Sequence, residues 1–235
     1  MWRHDDQAAT LRRLFRRHPP QMHSLYVAGR DWAGLAERFM HRVVEAAGAA
    51  LLADEATSSP TLPEARGAAR PADLLLALKP NGARRRFDLA LPHGWGYLNL
   101  KAAALAMPLL DEAQRQRLIT VFSAHARRYD VVVVFGGGGS VADASWWLTA
   151  PPRHWLVAEV SGSGWRAALA RARELVALGV DRLALVGAGE EPVETRRFLT
   201  HLQRAIVRTT SLPIWQTVAM PALASVWPTE TGVAA

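Results

Sequence analysis

With 235 residues, half of them hydrophobic and 21% charged, the chain has the composition of a globular protein and is too short for two domains of ordinary size. It contains no cysteine, which excludes disulfides, thiolate metal sites and cysteine nucleophiles. The formal charge of +7 would suit a polyanion, but nearly all the basic residues are arginines, only Lys79 and Lys101 being lysine, and they are scattered along the chain; this argues for a compositional bias and against a nucleic-acid partner. The N-terminus is Arg-rich with no apolar stretch behind it, and no run approaches the ~20 apolar residues needed to span a bilayer. The expectation is a cytoplasmic protein.

In chain order, residues 5–17 carry Ala8, Leu11, Leu14 and Phe15 at helical spacing. Acids stand at the front and Arg16-Arg17 at the end, which suits the helix dipole, and Pro19-Pro20 stops the segment. Residues 24–28 read as a buried strand, 29–34 as a turn and 35–47 as a helix. A second apolar run, 49–53, ends at Asp54 and Glu55, and the Ser-, Thr- and Pro-rich stretch that follows to Pro71 reads as a flexible loop. Residues 73–78 suggest a short helix and 87–91 a strand, after which Pro92, Gly94 and Gly96 mark an irregular connection.

Residues 111–128 read as a long helix. The β-branched run Val131 to Val134, closed by Phe135 and four glycines, is the clearest strand and is expected at the centre of a sheet. Strands at 155–160, 182–186 and 213–217 then alternate with helices at 164–178 and 191–208. Apolar strands alternating with amphipathic helices predict an α/β fold with a mostly parallel, doubly wound sheet covered on both faces.

In such a sheet ligands bind outside the carboxyl ends of the strands, so the loops that begin at Gly29, Asp54, Gly136, Val160 and Gly187 are the places to look for a site. The first turn, Gly29-Arg30-Asp31-Trp32-Ala33-Gly34-Leu35-Ala36, has two glycines at P-loop spacing. Leu35 stands where a phosphate-binding Lys would be and Ala36 where a magnesium-binding hydroxyl would be, and Trp32 fills a position that must be small for backbone amides to reach a phosphate. Taken alone, the segment also reads as an ordinary strand-to-helix turn. The strand at 131–134 ends in Phe135 where a Walker B acid would hold the magnesium shell, so no significant ATPase is predicted.

Gly137-Gly138-Gly139-Ser140-Val141-Ala142 fits a loose dinucleotide fingerprint, with Glu159 about 20 residues on as a ribose ligand. The helix between them is very short, and no constellation for hydride chemistry accompanies it. The eight histidines show no metal-binding spacing, and His4, His18, His93, His125 and His154 read as surface or loop residues. Ser140 lacks the downstream glycine of a nucleophile elbow.

The opening Asp6-Gln7-Ala8-Ala9-Thr10-Leu11-Arg12 matches a DQAxxLR motif, and a strand-turn segment, residues 25–34, follows it at the interval seen in flagellar-number regulators of the FlhG (FleN) type. Leu51-Leu52-Ala53-Asp54 is similar to the strand that ends in their switch I Asp, Tyr129-Asp130-Val131 to the opening of their switch II strand, and Phe135-Gly136-Gly137-Gly138-Gly139 falls where they have D-T-G-A-G. The chain thus resembles a degenerate member of the MinD/ParA deviant P-loop ATPases. Against that pattern Arg30 replaces the signature Lys, Leu35 the Walker Lys, Ala36 the hydroxyl, Phe135 the Walker B acid and Gly187 a base-recognising Asn, while Asp54 is kept.

The resemblance implies a docking helix at 1–20 followed by a MinD/ParA-like α/β domain at 21–235. It implies an FlhF-type GTPase as partner, contacted through Asp6, Gln7, Ala8, Leu11 and Arg12, with flagellar switch or C-ring proteins as further partners and recruitment to the cell pole. A pseudo-ATPase with no cofactor is expected; ATP and magnesium enter only if the degenerate site, with Gly29, Gly34 and Gly138 among its residues, works in an unorthodox way through Arg30 and Asp54. A MinD-like scaffold for another polar or cellulose-secretion machine is the other alternative. Periodicity alone leaves open that Leu11, Leu14 and Phe15 pack the first helix on its own domain. Residues 212–235 lack the basic amphipathic helix by which such proteins grip membranes, so no membrane association is expected without a partner.

Overall fold

The computed structural model describes residues 20–228, except 83, 84, 92, 93 and 143. The amphipathic segment 5–17, with Asp6, Gln7, Ala8, Leu11 and Arg12, lies outside the described residues, as does the end of the tail from residue 229.

Eight strands form one sheet: β1 (Gln21–Ala28), β2 (Ala50–Asp54), β3 (Leu89–Ala90), β4 (Trp95–Asn99), β5 (Val131–Phe135), β6 (Arg153–Glu159), β7 (Leu183–Ala188) and β8 (Ile214–Ala219), in the order β3-β4-β2-β5-β1-β6-β7-β8. All neighbours are parallel except β3 and β4. The helices are α1 (Trp32–Ala47), α2 (Leu62–Ala65), α3 (Lys101–Ala106), α4 (Glu112–Ala126), α5 (Trp146–Thr149), α6 (Gly162–Ala177) and α7 (Pro192–Thr210), with 3-10 turns at Leu74–Leu78, Met107–Leu109 and Met220–Val226. The mostly parallel, doubly wound plan is the one the alternation of elements predicts.

Side chains alternate across each strand, so the sheet feeds two cores. On one face Tyr26, Leu51, Val132, Val134, Leu156 and Leu185 meet Leu118 and Phe122 of α4, Ala172 and Leu175 of α6 and Leu202 and Ile206 of α7. On the other, Leu25, Val27, Leu52, Val133, Trp155 and Val186 meet Leu35, Phe39, Met40 and Val43 of α1, together with Leu223 and Trp227 from the C-terminal turn. Trp227 stacks on Trp155 (centroids 5.2 Å apart, 10° between planes), which fastens the end of the described chain to this second core.

Helix starts follow local capping. The carboxylate of Asp31 accepts from the Gly34 N–H, Asp111 and Gln114 form a capping box, and Ser145 and Ser161 cap α5 and α6. β4 and α3 are among the elements that the sequence reading does not anticipate. β4 lies where Pro92, Gly94 and Gly96 suggest a turn, and Gly96 is needed in the strand because a Cβ there would fall 2.1 Å from the Tyr129 hydroxyl oxygen. α3 is capped from a distance: Asp73 accepts from the N–H groups of Ala102 and Ala103 at 2.7 and 3.0 Å.

The expected strand at 87–91 contracts to the two residues of β3, because Phe87 and Asp88 turn inward instead of pairing. The stretch expected as a flexible loop contains α2 and is tied down by a Thr61–Glu64 capping box, by Arg66 on Glu37 (2.7 and 3.0 Å) and by Lys101, whose Nζ donates to the Ser59 carbonyl at 2.6 Å.

Candidate functional site

β1 lies between β5 and β6, and the chain leaves β1 toward β2 on one side and β5 toward β6 on the other. That is a topological switch point, where an open α/β sheet leaves a crevice beyond its strand ends. Register brings Asp54 beside Phe135 and Phe135 beside Leu25, so the loops after β1, β2, β5 and β6 meet at one place.

In the β1–α1 turn the Arg30 N–H donates to Glu159 Oε2 at 2.9 Å, and the Gly34 N–H is occupied by Asp31 at 3.0 Å. Leu35 is 1% exposed and folds back over Gly29, where a Cβ would meet Leu35 Cδ1 at 2.6 Å and Glu159 Cβ at 2.9 Å. Ala36 is buried in the second core. The Trp32 indole lies against Phe135 (centroids 5.9 Å apart), and a Cβ at Gly138 would fall 2.3 Å from Trp32 Cγ. Gly138 is therefore needed for the indole to seat. Arg30 is exposed.

The glycine run after β5 is held on both flanks by side chains. The Gly138 N–H donates to Ser59 Oγ at 3.2 Å, and Ser58 Oγ donates to the Ser140 carbonyl. From α6, Arg171 donates to the Gly139 carbonyl and pairs with Glu174 at 3.0 Å, while Glu174 accepts from Ser140 Oγ and the Val141 N–H, each at 3.0 Å. Gly137, at φ +78°, makes the turn and is close-packed against Ala56 and Ser59. Glu159 and the glycine run end on strands separated by β1, which is not the neighbouring-strand arrangement of a dinucleotide fingerprint.

Asp54 closes β2 and is fully buried. Its Oδ2 accepts from the Leu62 N–H (2.6 Å) and the Tyr97 hydroxyl (2.9 Å), while Oδ1 has no hydrogen-bond partner among the described residues. Burial pushes its pKa from 3.8 up to about 7, and the two hydrogen bonds and nearby Lys101 only partly oppose that. The next residue, Glu55, is also buried and raised by desolvation; it accepts from the Ser145 N–H (2.5 Å) and hydroxyl (2.8 Å). Gly187 lies on β7 under α7, where a Cβ would meet Thr195 Cγ2 at 2.7 Å and Leu199 Cγ at 3.0 Å.

Gly29, Arg30, Gly34, Leu35, Phe135 and Gly138 thus gather at the switch point, Asp54 is drawn into the core beside them, and Gly187 lies two strands from β1, under α7. Sequence reasoning missed Ser58, Ser59, Arg171 and Glu174, which reach the glycine run from elements far away in sequence and give no local signal. The histidine reading needs correction. His125 is buried and bonded to Asp88 at 2.7 Å, and His154 is buried with the Tyr26 hydroxyl 3.1 Å from its Nδ1. Among the described residues no group of His, Asp and Glu is arranged to hold a metal ion, and no helix is long and apolar enough to cross a membrane.

No protein-family model matches the chain, and no curated protein matches it in sequence. Solved structures do match it in shape. A ParA family ATPase from Chlorobium tepidum TLS superposes with a TM-score of 0.53 at 12% identity, over 86% of this chain and 84% of that one. A plasmid partition protein from Borrelia burgdorferi gives 0.51 at 9% over 86% and 91%, and cobyrinic acid a,c-diamide synthase from Mycobacterium smegmatis gives 0.51 at 15% over 83% of each. At such identities the likeness establishes architecture alone: the chain is built on the MinD/ParA-type P-loop NTPase α/β fold.

Proposed function

We propose that this protein is an FlhG-like regulator that works by binding, with its own nucleotide site closed and with the DQAxxLR segment as its docking element on an FlhF-type GTPase. The observation that carries the closed site is the Trp32 indole seated on Phe135 and Gly138, with Asp31 on the Gly34 N–H. A triphosphate needs free amides, a cation and a metal-holding hydroxyl and acid at this turn. The turn instead presents amides bonded to Asp31 and Glu159, an aliphatic Leu35 and a buried Ala36, and the β5 strand end presents Phe135. These residues do not fit a nucleotide, and two carboxylates flanking the turn oppose an anion. Arg30 and Asp54 give an unorthodox site little support, since the Asp54 carboxyl is buried and engaged with Leu62 and Tyr97.

The partner half of the reading rests on the motif Asp6 to Arg12 and its interval before β1. A lone helix of this length is marginal in water and gains stability on a partner surface, as in helix-in-groove recognition. Calorimetric titration with ATP and ADP in magnesium should give no heat at high micromolar nucleotide; saturable binding would overturn the closed site and favour an unorthodox ATPase. The chain should stimulate GTP hydrolysis by an FlhF-type GTPase, and Gln7→Ala with Arg12→Ala should remove that stimulation. Stimulation kept at the parent level by the double variant would refute the docking assignment, and a chain that does not stimulate at all would be read as a scaffold for another polar machine.

A further inference from the structure

β8 is the last strand of the sheet, and among the described residues no strand pairs with its outer edge. A bulge at Trp215 bends its head, but residues 216–219 beyond it carry neither charge nor proline, which commonly keep a sheet edge from pairing. α7 packs over both β7 and β8. Thr195, Leu199, Leu202 and Ile206 turn down to the sheet, and Phe198 meets Trp165 of α6 on the inner flank. Helical geometry then sends Val193, Arg196, Thr200, Gln203, Val207 and Thr210 up the other flank, beyond β8, in a stripe spaced alternately by three and four residues. Val193 is 60% exposed and Val207 43%. On the other face of the sheet Trp215, 38% exposed, and Val226, whose carbonyl accepts from Gln216, line the same edge.

We propose that this edge seats a second copy of the chain, antiparallel about a two-fold axis at Thr217, so that the two sheets run on as one and the two α7 helices lie side by side. The edge is self-complementary in each layer. Because α7 stands roughly half a strand spacing in from the edge and paired strands lie about 4.8 Å apart, the two helices come to about 9.6 Å, within the range at which helices pack. The stripe on α7 is symmetric about its middle, between His201 and Leu202. Thr200 therefore comes opposite Gln203 of the second copy and Arg196 opposite its Val207, so no like charges meet and the Arg196 stem can lie on the valine. One axis serves both layers. A Cβ on Gly187 would touch Thr195 and Leu199, which sets Gly187 and its register partner Ala219 level with residue 197. Thr217 lies about 6.6 Å back along β8, equivalent to about four residues of the oppositely running α7. That point is residue 201, the middle of the stripe.

The covered face runs about 26 Å along the stripe and about 25 Å through helix, sheet and C-terminal turn, roughly 650 Å² per copy, which places the pair at the smaller end of specific interfaces. The axis lies three strands from β1. Such a dimer needs no nucleotide and leaves the switch-point loops uncovered, so it stands apart from the function proposed above.

Sedimentation equilibrium of the full-length chain, from low micromolar to several hundred micromolar and without nucleotide, tests the seat. It should show a monomer–dimer equilibrium that tightens as salt screens the repulsion between two chains of charge +7. Thr217→Lys puts two lysines on the axis, and Val207→Arg sets an arginine against Arg196 of the second copy; each should raise the dissociation constant about tenfold or more and leave the urea midpoint unchanged. Arg196→Glu added to Val207→Arg should restore the dimer, because opposite charges then face each other across the axis. The chain has no cysteine, so Thr217→Cys carries a single thiol that can link only to another copy. Facing Cα atoms of antiparallel strands lie about 4.5–5.5 Å apart, inside disulfide range. Under mild oxidation this variant should form a linked dimer about tenfold or more faster than Thr120→Cys, exposed on α4. A chain that stays monomeric throughout, or a dimer untouched by both Thr217→Lys and Val207→Arg, overturns the proposal. So do thiol linkage no faster than the control and a dimer that forms only with ATP and magnesium, which would belong to the switch point.

Discussion

Replacing Asp54 by Asn tests how completely the fold has buried the carboxyl at the end of β2. Asp54 is fully buried, one of its oxygens has no hydrogen-bond partner among the described residues, and desolvation raises its pKa from 3.8 to about 7. For an acid whose folded pKa lies above its unfolded value, the stabilisation is complete below the unfolded value and is lost as the pH rises through the folded one. The full loss across that window is about 4 kcal/mol, of which roughly 2–3 kcal/mol falls between pH 5 and pH 8. Asn keeps the neutral shape: its carbonyl accepts from the Leu62 N–H and the Tyr97 hydroxyl, and its amide group occupies the place of the unpartnered oxygen. The variant should therefore gain roughly 2–3 kcal/mol relative to the parent on going from pH 5 to pH 8. Urea unfolding of both full-length proteins at pH 5, 6.5 and 8, followed by far-UV circular dichroism, measures the difference. A parent-minus-variant difference that stays flat across these pH values would mean that Asp54 is ionised and solvated in the folded protein, and the burial argument would be refuted.

Two buried histidines act with the opposite sign. Desolvation holds His23 at about 3 and His154 at about 4, both below the ordinary 6.5, so their stabilisation is present above pH 6.5 and drains as the pH falls toward 3–4. Each costs roughly 2 kcal/mol at pH 5 relative to pH 8, and His154→Gln should shrink the loss of stability between those pH values by that amount in urea titrations. Trp227→Ala removes the stack on Trp155 and the contact with His23 (centroids 4.6 Å apart) and should cost about 3–5 kcal/mol in urea unfolding; a cost under about 1 kcal/mol would mean that the tail only rests on the core. Gly187→Asn puts an amide side chain where Thr195 and Leu199 already pack, so it should destabilise by about 1–3 kcal/mol and leave ATP titrations flat. A stable Gly187→Asn variant with a nucleotide heat would show that α7 yields to a base.

The sheet was legible because its central strands are uninterrupted apolar runs. Val131 to Phe135 ends in four glycines, and 183–186 sits between two amphipathic helices, so period and punctuation agree. β4 and α3 were not, and for nonlocal reasons. Gly96 is in a strand because Tyr129 lies over it, and α3 takes its cap from Asp73, some 30 residues earlier. In the candidate site Leu35, Ala36 and Phe135 read in sequence as departures from the pattern that the resemblance supplies. The side chains that hold these loops are visible only in space: Glu159 on the Arg30 N–H, and Arg171 and Glu174 on the glycine run, come from elements that the chain brings together at the switch point. Asp54 reads in sequence as the switch I Asp of the resemblance, and its burial beside Tyr97 is visible only in the fold.

A helix N-terminus must satisfy its first amides whether or not an anion is present. In a phosphate-binding turn the ligand does so; in this chain Asp31 does, and its carboxylate also complements the positive end of the α1 dipole. The Trp32 indole fills the space over Phe135 and Gly138. Removing one element of this packing leaves the others in place. Trp32→Gly should open an unfilled gap over Phe135 and Gly138, lower stability by about 2–4 kcal/mol in urea unfolding, and leave calorimetric titrations with ATP and magnesium flat, because Asp31, Leu35, Ala36 and Phe135 remain. Saturable ATP binding by this single variant would show that the indole alone closes the site, and that the cation and hydroxyl missing at Leu35 and Ala36 are dispensable for affinity in this fold.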